Sequence, residues 1–397
     1  MAWVRPAIKA RHLNGYLSVS KSPLDQGSIL LSDYVVGISG TDVLDMQDLR
    51  PVQHGLFGEV GGIMSTAKKL VREGSAYPGF RRAAMEEFGD TLWYLAALCR
   101  RRGISLEVLF GATAAGSGYG AALAASDLTT GALATITVPA SPAEIDSTLA
   151  HLGRSAAVLL DEEPSVAAME AFARHYLDAL HAANLPFAEV VRANLRKVRG
   201  AFLEPDLASL PTFDSTFGPE EQLPPTFRIR VDQRSSGRSY LQWKGVFIGD
   251  PLTDNISDAD GYRFHDVFHF AHAAILHWSP VIRALIKHKR KSIPTYDEEQ
   301  DSGRAIVVEE GLTAWLFTRA KEINYFEGQS KVSLGVLKNV QEIVSGYEVE
   351  QCPSKLWERA ILQGYDVFRR LRDAEGGYIV GDRSTRTVRY EPLEATT

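Results

Sequence analysis

The sequence predicts a multidomain chain: an all-α helical bundle in the N-terminal half, then a mostly helical α+β domain. Three observations carry this reading. Apolar residues at helical spacing dominate from Val52 to about Leu203. Around 205–225 the composition shifts to Pro, Gly, Ser, Thr and acidic residues, the mark of a connection between domains. Beyond it, strand-like alternation and β-branched and aromatic content appear in TFRIRVDQ and SYLQWKGVFIG before helical spacing resumes. A length of 397 residues suits two or three domains at roughly 100–200 residues each. The expected bounds are 1–50 for an N-terminal segment of no defined element, 51–205 for the bundle, 206–225 for a linker and 226–397 for the second domain.

The first 50 residues say little; SILLSDYVVGISG fits either a strand or a short helix. In GLFGEVGGIMSTAKKLVREG, Leu56, Val60, Ile63, Met64, Ala67 and Leu70 form one apolar stripe of a helix that Gly74 and Pro78 end. A second helix runs from about Pro78 to Arg102, with a basic tail suited to a helix C-terminus and Gly103 as the stop. Residues 111–140 are rich in Ala, Gly, Ser and Thr and read as a flexible insertion. Ser141-Pro142-Ala143-Glu144 has the form of a capping box opening a helix to about Leu160. Ser165 is a candidate cap for another helix to Ala183, and Pro186 opens a third. In the second domain, helices are expected near 260–278, 303–323, 332–345 and 353–373, with no solenoid repeat.

Composition narrows the function. The net charge of −6 and pI near 6.0 disfavour a dedicated nucleic-acid binder, while a local cluster with a metal still permits a small anionic substrate. Two distant cysteines, Cys99 and Cys352, argue against a disulfide framework or cysteine-based zinc site. The start, MAWVRPAIKARHLNGYL, lacks the apolar core of a signal peptide, and no apolar run nears the ~18 residues of a membrane span. A soluble cytoplasmic protein with no membrane partner is the expectation.

The sharpest chemical signal is the pair GEVGG (58–62) and EEFGD (86–90). Residues three apart share a helix face, so Glu87 and Asp90 point the same way. Glu59 lies on the facing helix of a hairpin, and the three carboxylates converge. Clustered carboxylates repel unless a cation neutralises them, and hard oxygen donors suit magnesium or manganese. These stretches resemble the MazG-like nucleotide pyrophosphohydrolases, whose signature is E-x-x-E, a gap, then E-x-x-D on bundle helices. FAEVVRANLRKVRGAF resembles the family's closing helix. The resemblance covers about 55–110 and 185–203 and implies an all-α bundle, usually a homo-oligomer, that cleaves nucleoside triphosphates to monophosphate and pyrophosphate with Mg2+, or Mn2+. It makes Glu59, Glu87 and Asp90 the metal ligands and catalytic centre. Lys68, Lys69, Arg72 and Lys197 become candidates to neutralise phosphate, and Asn194 to orient the nucleotide. One departure stands out: the family's second glutamate falls on Gly62. The site is then weakened, degenerate (a nucleotide sensor that does not cleave), or completed by another acid, with Asp254, Asp258 and Glu309 as candidates.

A second signal is RFHDVFHFAHAAILHW, which holds His265, His269, His272 and His277, four of the ten histidines. The first three share one helix face, with Asp266 beside them and Glu309 and Glu310 on a later helix. His265, Asp266, His269 and Glu309 are therefore a possible second metal site, and a metal-dependent hydrolase located there is the alternative function. The competing reading is of buried histidines hydrogen-bonded to carboxylates such as Glu309 or Asp254, since Phe264, Phe268 and Phe270 interleave. This half resembles C-terminal extensions of some MazG-like proteins. The basic run Arg283, Lys287, Lys289, Arg290 and Lys291 fits either phosphate contact or a solvated helix end, with Asp297, Glu298, Glu299 and Asp301 as partners.

Overall fold

A computed structural model describes residues 30–115 and 145–393. The capping sequence at 141–144, most of the insertion near 111–140, and the first 29 residues lie outside them. The chain divides into two units, Met1–Arg199 and Gly200–Thr397.

Among the described residues the first unit is all helical: α1 (Leu31–Ser39), α2 (Arg50–Glu73), α3 (Phe80–Arg101), α4 (Leu106–Ala115), α5 (Ile145–Val158), α6 (Val166–Ala182) and α7 (Phe187–Phe202). SILLSDYVVGISG forms helix α1, because Leu31, Tyr34 and Ile38 fall on one buried stripe. Pro51 opens α2, and Ser165 caps α6 by accepting from Ala168 N. The hairpin of α2 and α3 is the spine: Leu56, Val60 and Ile63 meet Phe88, Leu92 and Leu95 in one core with Phe172 and Tyr176 of α6.

The second unit is α+β. Five antiparallel strands run in the order β3-β2-β1-β4-β5: β1 (Thr226–Gln233), β2 (Ser239–Trp243), β3 (Val246–Leu252), β4 (Gly376–Asp382) and β5 (Thr387–Glu391). SYLQWKGVFIG is thus a hairpin rather than one strand: Lys244 and Gly245 turn it with φ of 50° and 81°, the positive-φ pair that a tight two-residue turn requires. Helices α8 (Asp266–Ala271), α9 (Pro280–Leu285), α10 (Pro294–Glu299), α11 (Gly303–Glu322), α12 (Leu334–Ile343) and α13 (Ser354–Asp373) complete it, with α13 packed on β4, β5 and α8.

Three expectations need correction. Residues 206–225 are not a free linker: Asp214 and Leu223 are fully buried within the second unit. Asp214 accepts from Arg283 Nη2 at 2.8 Å, Arg383 Nη2 at 2.6 Å and Leu223 N at 2.8 Å. Second, the run at 283–291 is solvated only in part, at the exposed Lys287 and Lys291. Arg283 and Arg290 are buried, and Arg290 is clamped by Asp301 at 2.7 Å and Glu348 at 2.6 Å. Third, the helix near 260–278 is broken. A 3-10 turn (Tyr262–Phe264) precedes α8, and a π turn (His272–Leu276) follows and ends at His277 with φ 58°. No helix among the described residues is long and apolar enough to cross a membrane.

Candidate functional site

In the first unit, α2 presents Gly55, Glu59 and Gly62 to α3. The two glycines matter because side chains of α3 press on their backbone. A Cβ on Gly55 would stand 2.1 Å from the Tyr94 ring, and one on Gly62 would stand 1.9 Å from Glu87 Oε2. The acid missing from position 62 therefore leaves no void; the Glu87 carboxylate leans into its space. Glu59 and Glu87 consequently hydrogen-bond to each other, and burial, with Asp90 and Glu87 nearby, pushes the Glu59 carboxyl up to about 7.

Asp90, one turn on from Glu87, is held from α7. It accepts from Asn194 Nδ2 at 3.0 Å and Lys197 Nζ at 2.5 Å, and Lys197 also meets Glu86 at 2.8 Å. Burial opposes the charge on Lys197, but the Asp90 and Glu86 carboxylates outweigh it and hold the ammonium above the usual lysine range. Asn194 is buried; Tyr34 of α1 donates to its Oδ1 at 2.8 Å, and it packs so closely on Gly89 that a Cβ there would lie 2.9 Å from its own Cβ. Asn194 is thus a positioning residue for Asp90. Lys68, Lys69 and Arg72 are exposed, and Arg72 pairs with Glu73. Lys68 lies nine residues beyond Glu59, about 180° round the helix, so the structure does not bring it to the carboxylates. Tyr94 was not anticipated: burial, Glu59 and Asp90 raise its pKa, and its ring borders the site. The signal that could have found it is the seven-residue spacing of Glu87 and Tyr94, matched by that of Gly55 and Gly62.

In the second unit, Glu309 of α11 is fully buried. It accepts from Ser279 Oγ and Val281 N, each at 3.0 Å, and from His272 Nδ1 at 2.9 Å. His269 is fully buried, with Nδ1 3.1 Å from Glu309 Oε1 and Nε2 3.4 Å from Glu310 Oε2, yet neither nitrogen makes a hydrogen bond of acceptable geometry. Burial opposes its charge, but the Glu309 and Glu310 carboxylates push its pKa up to about 10. His265 Nε2 lies 3.7 Å from Glu310 Oε2 and 3.9 Å from Asp266 Oδ1. His277 turns away and meets Arg383 O at 2.9 Å. Asp254 is locked to Arg263 at 2.8 Å, so neither it nor Glu309 is a spare acid; both are engaged in their own unit, and Asp258 is exposed.

Residues 208–394 match the family model described as MazG C-terminal domain. The second unit thus matches the MazG C-terminal domain. The match supports a MazG-like family for this chain, with a C-terminal module, as the resemblance implied. Comparison with curated proteins and with solved structures gave no match. The matched span takes in 208–225, consistent with the burial of Asp214 and Leu223 in the second unit. It also contains the histidine and glutamate cluster and a groove of about 860 Å³ on the sheet, lined by Arg228, Arg230, Lys244, Arg389 and the rings of Trp243 and Tyr378. Among the described residues, ligand atoms drawn within 4.8 Å of one another belong to His265, Asp266 and His269, and to His269, His272 and Glu309. The three carboxylates of the first unit are not gathered that tightly.

Proposed function

We propose that the first unit is a MazG-like bundle that hydrolyses nucleoside triphosphates to monophosphate and pyrophosphate with Mg2+, Mn2+ serving as the alternative ion. The observation that carries this reading is the contact of Glu59 and Glu87 beside Asp90, with the Glu59 carboxyl at about 7. Two carboxyls sharing a proton are two for which a hard dication substitutes. The donor set fits one such ion: Glu59 and Glu87 would hold it, with Asp90 bearing on it or its waters. Bound there, magnesium supplies charge neutralisation for phosphate oxygens and a more acidic water. The chain's own part is orientation and the release of a proton. Lys197 and Asn194 fix both oxygens of Asp90, and Tyr34 fixes Asn194. Glu59, pushed up to about 7 before any ion binds, is the acid whose proton a dication would displace. The MazG relation of the second unit supports a nucleotide-related role.

The test is a nucleotide panel with magnesium, reading monophosphate and pyrophosphate. Stoichiometric release of both supports the proposal. Tight nucleotide binding without products would favour the sensor reading that Gly62 motivates.

A pH dependence follows from Glu59. Its folded pKa of about 7 lies above the ordinary 4.5, so the folded state holds a proton that the unfolded chain has released between those values. Stability therefore falls as pH rises from about 4.5 to 7 and stays reduced above it. Thermal melts should show Mg2+ stabilising the protein more at pH 8 than at pH 5.5, and Glu59→Gln should erase that difference. Equal magnesium shifts at both pH values in the wild type would remove Glu59 from the metal site.

Gly62→Glu should displace Glu87 from α2 and add a fourth carboxylate. Magnesium affinity, measured by calorimetry, should rise on the order of tenfold. A fall would mean that the leaning Glu87 is itself needed for binding.

A further inference from the structure

We propose that His265, Asp266, His269 and Glu310 of the second unit bind one divalent transition-metal ion, on a site open to solvent at Glu310. The argument begins with the two imidazoles. His265 stacks flat on Tyr262, with ring centroids 4.4 Å apart and 4° between planes, and its Nδ1 lies 2.9 Å from Tyr262 O. A ring whose Nδ1 donates presents a lone pair at Nε2. That Nε2 points between two carboxylate oxygens at 3.7 and 3.9 Å, beyond hydrogen-bond range. His269 enters from one helical turn further on. It is fully buried, Glu309 holds its Nδ1 side at 3.1 Å, and its Nε2 stands 3.4 Å from the same Glu310 oxygen without a hydrogen bond of acceptable geometry. A buried nitrogen that lacks such a bond is costly in a folded interior.

The separations of 3.4, 3.7 and 3.9 Å lie within or a few tenths of an ångström above the spacing of ligands on one ion. Donors about 2.0–2.2 Å from a tetrahedral centre lie about 3.3–3.6 Å from each other. The surroundings also match a metal site. Glu309 stands behind His269, 3.1 Å from Nδ1, and is itself fixed by Ser279, Val281 and His272. A carboxylate behind a ligating histidine, and a backbone carbonyl behind another, are the usual orienting partners of metal-bound imidazoles. Two imidazoles with two carboxylates favour zinc, manganese or iron(II) over magnesium. Access is on one side: the His269 side chain is 0% exposed and that of Glu310 41%, which leaves room for water or a ligand on the ion.

This inference is independent of the activity proposed for the first unit. Its test uses the full chain, stripped with chelator and reloaded with Mn2+ or Zn2+. Pulsed electron paramagnetic resonance of the manganese form should show coupling to imidazole nitrogen, which a purely carboxylate site cannot produce, and zinc should displace that signal. His265→Gln and Glu310→Gln should weaken this ion's binding on the order of 10–100-fold, with circular dichroism unchanged. Asp90→Asn should leave the nitrogen coupling intact. The proposal is overturned if no imidazole-coupled manganese and no bound zinc is found. Nitrogen coupling and affinity that persist unchanged in both variants overturn it equally. Glu310 is half-exposed, so its variant stays informative even where a change at buried His269 prevents folding.

Discussion

Asp90→Asn should reduce magnesium-dependent pyrophosphate release by about 100-fold or more, because orienting groups around metal ligands alone cost 10–100-fold. The substitution keeps the side chain's shape and one oxygen. It removes the charge, and with it the ion pair to Lys197 at 2.5 Å. The fold should survive, since Lys197 is 43% exposed, keeps Glu86 at 2.8 Å, and exposed ion pairs contribute about 0–1 kcal/mol. Initial rates of pyrophosphate release, with circular dichroism as the control, decide the matter. Wild-type turnover in this variant would remove the first unit's carboxylates from the chemistry and turn attention to the histidine cluster.

The second large effect concerns stability. Asp214→Ala should cost the second unit about 3–5 kcal/mol, the usual penalty for stranding one half of a buried ion pair. Its loss leaves Arg283, 1% exposed, with Asp301 at 3.7 Å as its one remaining acidic partner among the described residues, and frees Leu223 N from its acceptor. Denaturant unfolding followed by tryptophan fluorescence reads the loss directly. Acid should mimic it. Burial opposes ionisation of Asp214, but Arg383 and Arg283 hold its pKa below the ordinary 3.8, so its contribution is present above that value and is lost as pH falls through the lower one. An unchanged midpoint in Asp214→Ala would mean that 206–225 is no integral part of this unit.

That segment shows where sequence reading runs out. Pro, Gly, Ser and Thr around Asp214 look like a linker, because composition reports local chain preference and is blind to a single acid that two distant arginines bind. For Arg283 and Arg290 the nearby partner Asp301 was legible, but Asp214 and Glu348, 69 and 58 positions away, were not. Strand β4 was missed because Gly376, Gly377 and Gly381 erase the alternation on which a strand is recognised, and β5 has only five residues to show one. Long periodic helices such as α2, α3, α11 and α13 were legible, because each carries a local stripe of several turns. In the first unit, the spacing of Glu87 and Asp90 and the facing position of Glu59 were readable. The clasp of Tyr34, Asn194 and Lys197 on Asp90 was not, since it joins three helices through side-chain geometry. In the second unit, His265, Asp266 and His269 were legible as a cluster with Glu309, which lies 3.1 Å from His269 Nδ1, while Glu310 lies 3.4 Å from its Nε2.

Gly62 has a wider meaning than a lost ligand. With no side chain there, the gap between Glu59 and Glu87 is set by how far Glu87 can recline on bare backbone. Position 62 therefore acts as a spacer: each added methyl or methylene would prop the two acids further apart and lower the pH at which both are ionised. A chain with glycine at 62 holds this acid pair half-protonated near neutrality, so if a dication binds there, small swings in pH would act as a throttle on the site.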